Sequence, residues 1–172
     1  MERTVIKQVI EALLFASDSP LLVSKLQPIM EGTKAQEIKD VLEELRQEYQ
    51  TQNRAFEIQE IAGGYQLLTK PEYHTWIAKL KAGKEDNKLS GAALETLSII
   101  AYKQPVLKAE IENIRGVDSG AIIRGLMDKG LVRIAGRAET LGQPILYGTQ
   151  PRFLELLGLA SITDLPKPEE VK

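Results

Sequence analysis

Residues 89–148, LSGAALETLSIIAYKQPVLKAEIENIRGVDSGAIIRGLMDKGLVRIAGRAETLGQPILYG, constrain the fold of this chain more than any other stretch. They read as three short helices followed by a two-stranded hairpin, the order of elements in a winged helix. Ser90 is placed to cap the first helix, whose apolar positions Ala93, Leu94, Leu97, Ile100 and Ala101 recur at three- and four-residue spacing and predict one buried stripe. Pro105 stops it, since proline has no amide hydrogen and holds its predecessor extended. A second helix over 107–115 is expected to bury Ile111 and Ile114. Asp118 or Ser119 then caps a third, with Ile122, Ile123, Leu126 and Met127 inside and Gly130 at its end. Residues 131–135 and 145–147 pair as strands around a wing at 136–144.

The preceding residues repeat this plan. A helix over 4–17 ends at Ser19-Pro20, and a short one covers 23–30. Thr33 with Gln36 forms a capping box before a third helix with Ile38, Val41, Leu42, Leu45 and Tyr49 on one stripe. Glu44, Arg46 and Glu48 fall outside that stripe and read as a solvated face. Residues 56–61 and 65–68 form a hairpin around Gly63-Gly64. Thr69 with Glu72 makes a second capping box around Pro71, ahead of a helix with Tyr73, Trp76, Ile77 and Leu80. Pro20 and Pro105 stand 85 positions apart, and at that offset Leu14 matches Ile99, Ala16 matches Ala101 and Leu26 matches Ile111. The expected architecture is therefore α+β, mostly helical with small β hairpins. It comprises two tandem winged-helix (helix-turn-helix) domains, residues 1–84 and 85–165, with a linker over 81–89 and a flexible tail at 166–172.

The first helix carries more apolar surface than one core can cover: Val5, Ile6, Val9, Ile10, Ala12, Leu13, Leu14, Phe15 and Ala16 spread well beyond an ordinary stripe. Either the helix is buried within its domain, or it forms a subunit interface, with Val5, Val9, Ala12 and Phe15 nearest the partner. Polar residues interrupt its apolar run at helical spacing, unlike a signal peptide, and no run is long enough for a membrane span. No membrane partner is expected.

Catalytic chemistry is hard to find. With no cysteine in 172 residues, disulfides, Cys-zinc sites and thiol catalysis are excluded, which fits a reducing cytoplasm. His74, the single histidine, lacks a metal-ligating companion and reads as a surface or capping residue. Gly83-Lys84 is no phosphate loop, because the upstream glycine is missing and Glu85 stands where Ser or Thr would hold magnesium. No cofactor and no enzyme activity are expected. Charge speaks against a strong DNA binder: net −2 overall, with 11 basic and 14 acidic residues over 1–87 and 8 basic and 6 acidic over 88–148. A winged-helix transcription regulator is the alternative reading, with Arg124, Lys129, Arg133 and Arg137 as the cations available for nucleic acid. Gly120, Ala121 and Gly125 on the third helix are too small to read bases. They suit tight packing on a neighbouring helix or a protein-docking surface.

IEALLFASDSPL at 10–21, GGYQLLTKPEY at 63–73, LSGAALETLSIIAYKQPVLKAEIENIRGV at 89–117, GQPILYGT at 142–149 and FLELLGL at 153–159 together resemble segregation and condensation protein B, over nearly the whole chain. Gln143 stands where Arg is expected, which weakens any phosphate or acidic contact at that turn, and Leu157 stands where an aromatic is common. The resemblance implies a non-enzymatic adaptor subunit of the bacterial condensin-like complex, with two winged-helix domains and a homodimer formed through the first. It implies binding to the kleisin subunit, segregation and condensation protein A, which bridges the heads of the structural-maintenance-of-chromosomes (SMC) ATPase. It further implies action in chromosome condensation and segregation during cell division, in the cytoplasm at the nucleoid, with DNA met indirectly or weakly. Tyr147, Phe153, Leu154 and Leu157 are the candidate kleisin contacts. For Phe153 and Leu154 a core position is the favoured alternative.

Overall fold

The computed structural model describes residues 2–81 and 88–167, which fall into two compact units: residues 2–81 with 158–167, and residues 88–157. Both combine helices with a small antiparallel sheet.

The first unit runs α1 (Arg3–Ala16), α2 (Val23–Ile29), α3 (Ala35–Thr51), β1 (Phe56–Ile61), β2 (Gly64–Thr69), a 3-10 turn (Pro71–Tyr73) and α4 (His74–Lys81). Ile6, Ile10 and Leu14 recur every four residues on α1, so they share one face. That face closes on Leu26, Met30 and the predicted α3 stripe, Ile38, Val41, Leu42, Leu45 and Tyr49, with Ile58 of β1 beneath. The hairpin pairs from Phe56↔Thr69 to Ile61↔Gly64 across a tight turn in which Ala62 and Gly63 both have positive φ. Leu21 extends the hairpin, exchanging backbone hydrogen bonds with Tyr65 at 2.8 and 2.9 Å. This approach accounts for the second glycine of the pair, because a Cβ on Gly64 would stand 3.0 Å from the carbonyl carbon and oxygen of Leu21.

Neither expected capping box forms. Lys34 is the N-cap of α3 and makes no side-chain cap bond, while Thr33 turns inward and is buried. After Thr69 the fixed φ of Pro71 starts a 3-10 turn, and α4 begins only at His74.

Residues 158–167 also belong to the first unit. The N–H groups of Ala62 and Gly63 donate to the carbonyls of Leu159 and Ala160 at 2.9 and 3.2 Å. The expected second domain, 85–165, thus gives up its last residues to the first unit. Outward-pointing turn amides of a two-stranded ladder need acceptors, and this segment supplies them. Most of the expected linker (82–87) and of the expected tail (168–172) lies outside the described residues.

The second unit runs α5 (Gly91–Lys103), β3 (Val106–Leu107), α6 (Lys108–Arg115), α7 (Gly120–Asp128), β4 (Val132–Arg137), β5 (Ile145–Thr149) and α8 (Pro151–Leu157). Ser90 caps α5 as expected, its Oγ accepting from the Ala93 N–H at 3.2 Å. The sheet has three strands where two were expected, in the order β3-β5-β4, with Tyr147 between Val106 and Ile134. Gln104 fixes the added strand's approach: its Oε1 accepts from the N–H and Oγ1 of Thr149 at 2.7 and 3.0 Å. A Cβ on Gly148 would stand 3.0 Å from that oxygen, which is why the strand carries glycine there.

Leu97, Ile100, Ala101, Val106, Ile111, Ile123, Leu126 and Val132 are buried. Leu94 and Ile114 were expected with them, yet they are 51% and 50% exposed. Thr96 is buried instead, its hydroxyl donating to the Ala92 carbonyl at 2.8 Å, so a satisfied polar group occupies part of the stripe. Ser119 rather than Asp118 is the N-cap of α7, without a side-chain cap bond. A Cβ on Gly125 would meet nothing within 4 Å, so close helix packing does not explain that glycine. Among the described residues, no helix is long and apolar enough to cross a membrane.

Candidate functional site

The outer face of α1 is a candidate interaction surface of the first unit. With Ile6, Ile10 and Leu14 turned inward, the helix presents Val5 (41% exposed), Ala12 and Phe15 (83% exposed) outward. Val9, the fourth expected member, is half-buried against the core and stands at the edge of this face. Ala12 and Phe15 line a groove of about 550 Å³ whose other wall includes Tyr49, Phe56 and Leu67. Tyr49 and Phe56 meet edge-to-face, with ring centroids 5.3 Å apart. An aromatic ring left this exposed beside an apolar groove is what a protein contact would cover.

Charges hold α1 in place. Arg3 Nη2 and Lys7 Nζ donate to the Glu44 carboxylate at 3.0 Å each, Lys7 also pairs with Glu48, and the Tyr49 hydroxyl donates to Glu11. The Lys7 and Arg3 hydrogen bonds hold the Glu44 carboxyl below its ordinary value. The Glu48 hydrogen bond, opposed by desolvation and joined by Glu44, holds the Lys7 ammonium above its own. Burial and then the Glu11 hydrogen bond push the Tyr49 phenol up. Glu44 and Glu48, expected as mere solvated surface, therefore clamp α3 to α1. The available signal was the matching four-residue spacing of Arg3/Lys7 and Glu44/Glu48.

In the second unit the expected kleisin contacts separate. Phe153 is buried (4% exposed), a core side chain, because the first turn of α8 packs its ring inward. Leu154 and Tyr147 are half-buried, whereas Leu157 is largely exposed. The four expected cations are all exposed, Arg124 and Lys129 on and just after α7, Arg133 and Arg137 on β4. Two are engaged: Arg133 Nε donates to the Thr149 carbonyl at 3.1 Å and Arg137 Nη1 to the Gln143 carbonyl at 3.0 Å. His74 is exposed at the start of α4, and no group of three or more metal-ligating side chains occurs among the described residues.

The family model for "Segregation and condensation complex subunit ScpB" matches residues 8–168. The chain belongs to this family. It is 45% identical over 170 residues to segregation and condensation protein B of Syntrophotalea carbinolica, covering 99% of this chain and 85% of that one. It is 44% identical over 167 residues to the Alkaliphilus oremlandii protein of the same name, covering 96% and 89%. It is also similar to a ScpB N-terminal domain solved as a dimer complexed with a ScpA peptide, at 35% identity over 45% of this chain and 95% of that one, with a TM-score of 0.42.

In this chain one further surface feature besides the acidic clamp carries no signal in the sequence. Leu94 of α5 and Leu156 of α8 are both exposed and line one groove. The periodicity of α5 places Leu94 in the buried stripe, since spacing does not separate the two edges of a broad apolar face.

Proposed function

We propose that this chain is a non-enzymatic adaptor of the bacterial condensin-like complex, built from two tandem winged-helix domains and dimeric through the first. It binds the kleisin subunit, segregation and condensation protein A, and reaches the SMC ATPase through it. It acts in chromosome condensation and in segregation during cell division, in the cytoplasm at the nucleoid. The observation that carries this reading is family membership over 8–168, almost the full described chain. The exposed ring of Phe15, with Val5 and Ala12, supports the outer face of α1 as the dimer contact and Val9 as its margin. In each unit the succession of three helices and a hairpin supports the winged-helix assignment.

The test is a calorimetric titration of the chain with the central segment of the matching kleisin. A saturable heat is expected, and its molar ratio gives the number of chains per kleisin. A folded, dimeric protein that gives no heat contradicts the adaptor reading. Light scattering of Phe15→Glu is expected to show the monomer, because a carboxylate is then forced into an apolar contact. An undisturbed dimer moves the interface elsewhere.

A further inference from the structure

We infer that α4 is an exchanged arm, which seats Trp76 and Leu80 in the groove beside α1 of a second copy of this chain. The assignment rests on the dimer reading. From His74 to Leu80 no side chain is buried, and only Ile77 is half-buried. Trp76 and Leu80 stand four residues apart on one face and are 67% and 85% exposed. A helix of eight residues is too short to hold by itself in water and depends on packing of its apolar face. Within its own unit α4 has little of that packing.

The same unit carries an apolar groove that α4 does not fill. Ala12, Phe15, Tyr49, Phe56, Leu67 and Leu68 line it, and no residue of α4 does. An uncovered rod and an open groove on one chain satisfy each other when two copies exchange rods about a two-fold axis, a contact that closes. Charge agrees with this. The Lys79 ammonium lies 5.1 Å from the centroid of the Trp76 ring and travels with it, while Glu11 brings a carboxylate to the groove. Area agrees as well. A stable interface takes about 800 Å² from each partner. An aromatic side chain supplies roughly 150–250 Å², so Val5, Ala12 and Phe15 fall short by themselves. Trp76 and Leu80 extend the same contact. A lipid surface would cover the arm and leave the groove open.

Trp76 is the single tryptophan of the chain, so its emission reports on the arm alone. As the full chain is concentrated from monomer to dimer, followed by light scattering, the emission is expected to move to shorter wavelength and to resist quenching by acrylamide. Leu80→Glu is expected to raise the dimer Kd by about tenfold or more, as loss of an apolar anchor does. Its melting temperature stays at the wild-type value, because the side chain is exposed. The chain has no cysteine, so single cysteines can be placed freely. A Ser17→Cys chain mixed with an Ala78→Cys chain is expected to yield the mixed dimer with a flexible bismaleimide. If the chain is dimeric but no mixed product forms and Leu80→Glu dimerises as the wild type does, the exchange falls and the dimer reading stands. If light scattering finds only the monomer, both fall. A Trp76 shift that appears only on adding anionic vesicles or the central kleisin segment overturns the exchange in favour of that occupant.

Discussion

Lys7 of α1 reaches Glu44 of α3 at 3.0 Å, and the same ammonium pairs with Glu48 one turn further on. Thirty-seven residues separate Lys7 from Glu44 in sequence. The contact fixes the helix whose outer face carries Phe15. Because the folded Glu44 carboxyl is held below its ordinary value, its contribution is present above the usual glutamate pKa of about 4.3 and is lost as pH falls through the lowered value. Because the folded Lys7 ammonium is held above its ordinary value, its contribution is present below about 10.4 and is lost as pH rises through the raised value. Lys7→Met should therefore lower the melting temperature most near neutrality. Thermal unfolding of both proteins at about pH 3, 7 and 11 should show the gap closing at the two extremes. A gap independent of pH would assign the effect to packing of the lysine stem.

Ile111 and Ile114 lie three residues apart on α6, yet only Ile111 is fully buried. Ile111→Ala is expected to cost about 2–5 kcal/mol through lost burial and a residual cavity. Ile114→Ala should stay within about 0.5 kcal/mol, as at other surface sites. Denaturant unfolding of the two variants checks this, and equal losses would contradict the packing described.

Ending the chain after Leu157 removes the two carbonyls that accept from Ala62 and Gly63. Two lost hydrogen bonds are worth on the order of 1–3 kcal/mol. Hydrogen exchange at those two amides should speed up in the shortened chain, and the first unit should melt earlier. Unchanged exchange would mean that the terminal segment is dispensable.

Arg133 and Arg137 already donate to the backbone of their own hairpin. Any affinity for DNA is accordingly expected to be weak and blind to sequence. Replacing either with Gln should reduce the salt slope by about 1 or less. Tight, sequence-selective binding in a salt titration would restore the transcription-regulator reading.

Much of this architecture was legible in the chain. The α3 stripe, the first hairpin, the Ser90 cap and the helix order of the second unit follow from spacing and from local chemistry, which act within a few residues; the hairpin's turn falls at Ala62-Gly63, one residue before the expected Gly63-Gly64. What escaped depends on distant partners. The third strand, Val106–Leu107, has too few residues to show a pattern and exists because β5 offers an open edge. Thr33 lost its capping role to burial, and residues 158–165 fall in the first unit rather than the expected second domain because acceptors for Ala62 and Gly63 have no local signature. At the candidate site, the excess apolar surface of α1 was visible, and Phe15 within it. Phe153 and Leu156 were not separable, since neighbouring apolar residues on a short helix carry no sign of which one faces the core.

Light scattering of the purified chain, alone and mixed with the central kleisin segment, tests the adaptor account most directly. The account predicts a dimer alone and a single larger species containing the kleisin segment in the mixture. A monomer alone, with the kleisin segment eluting separately in the mixture, would contradict it.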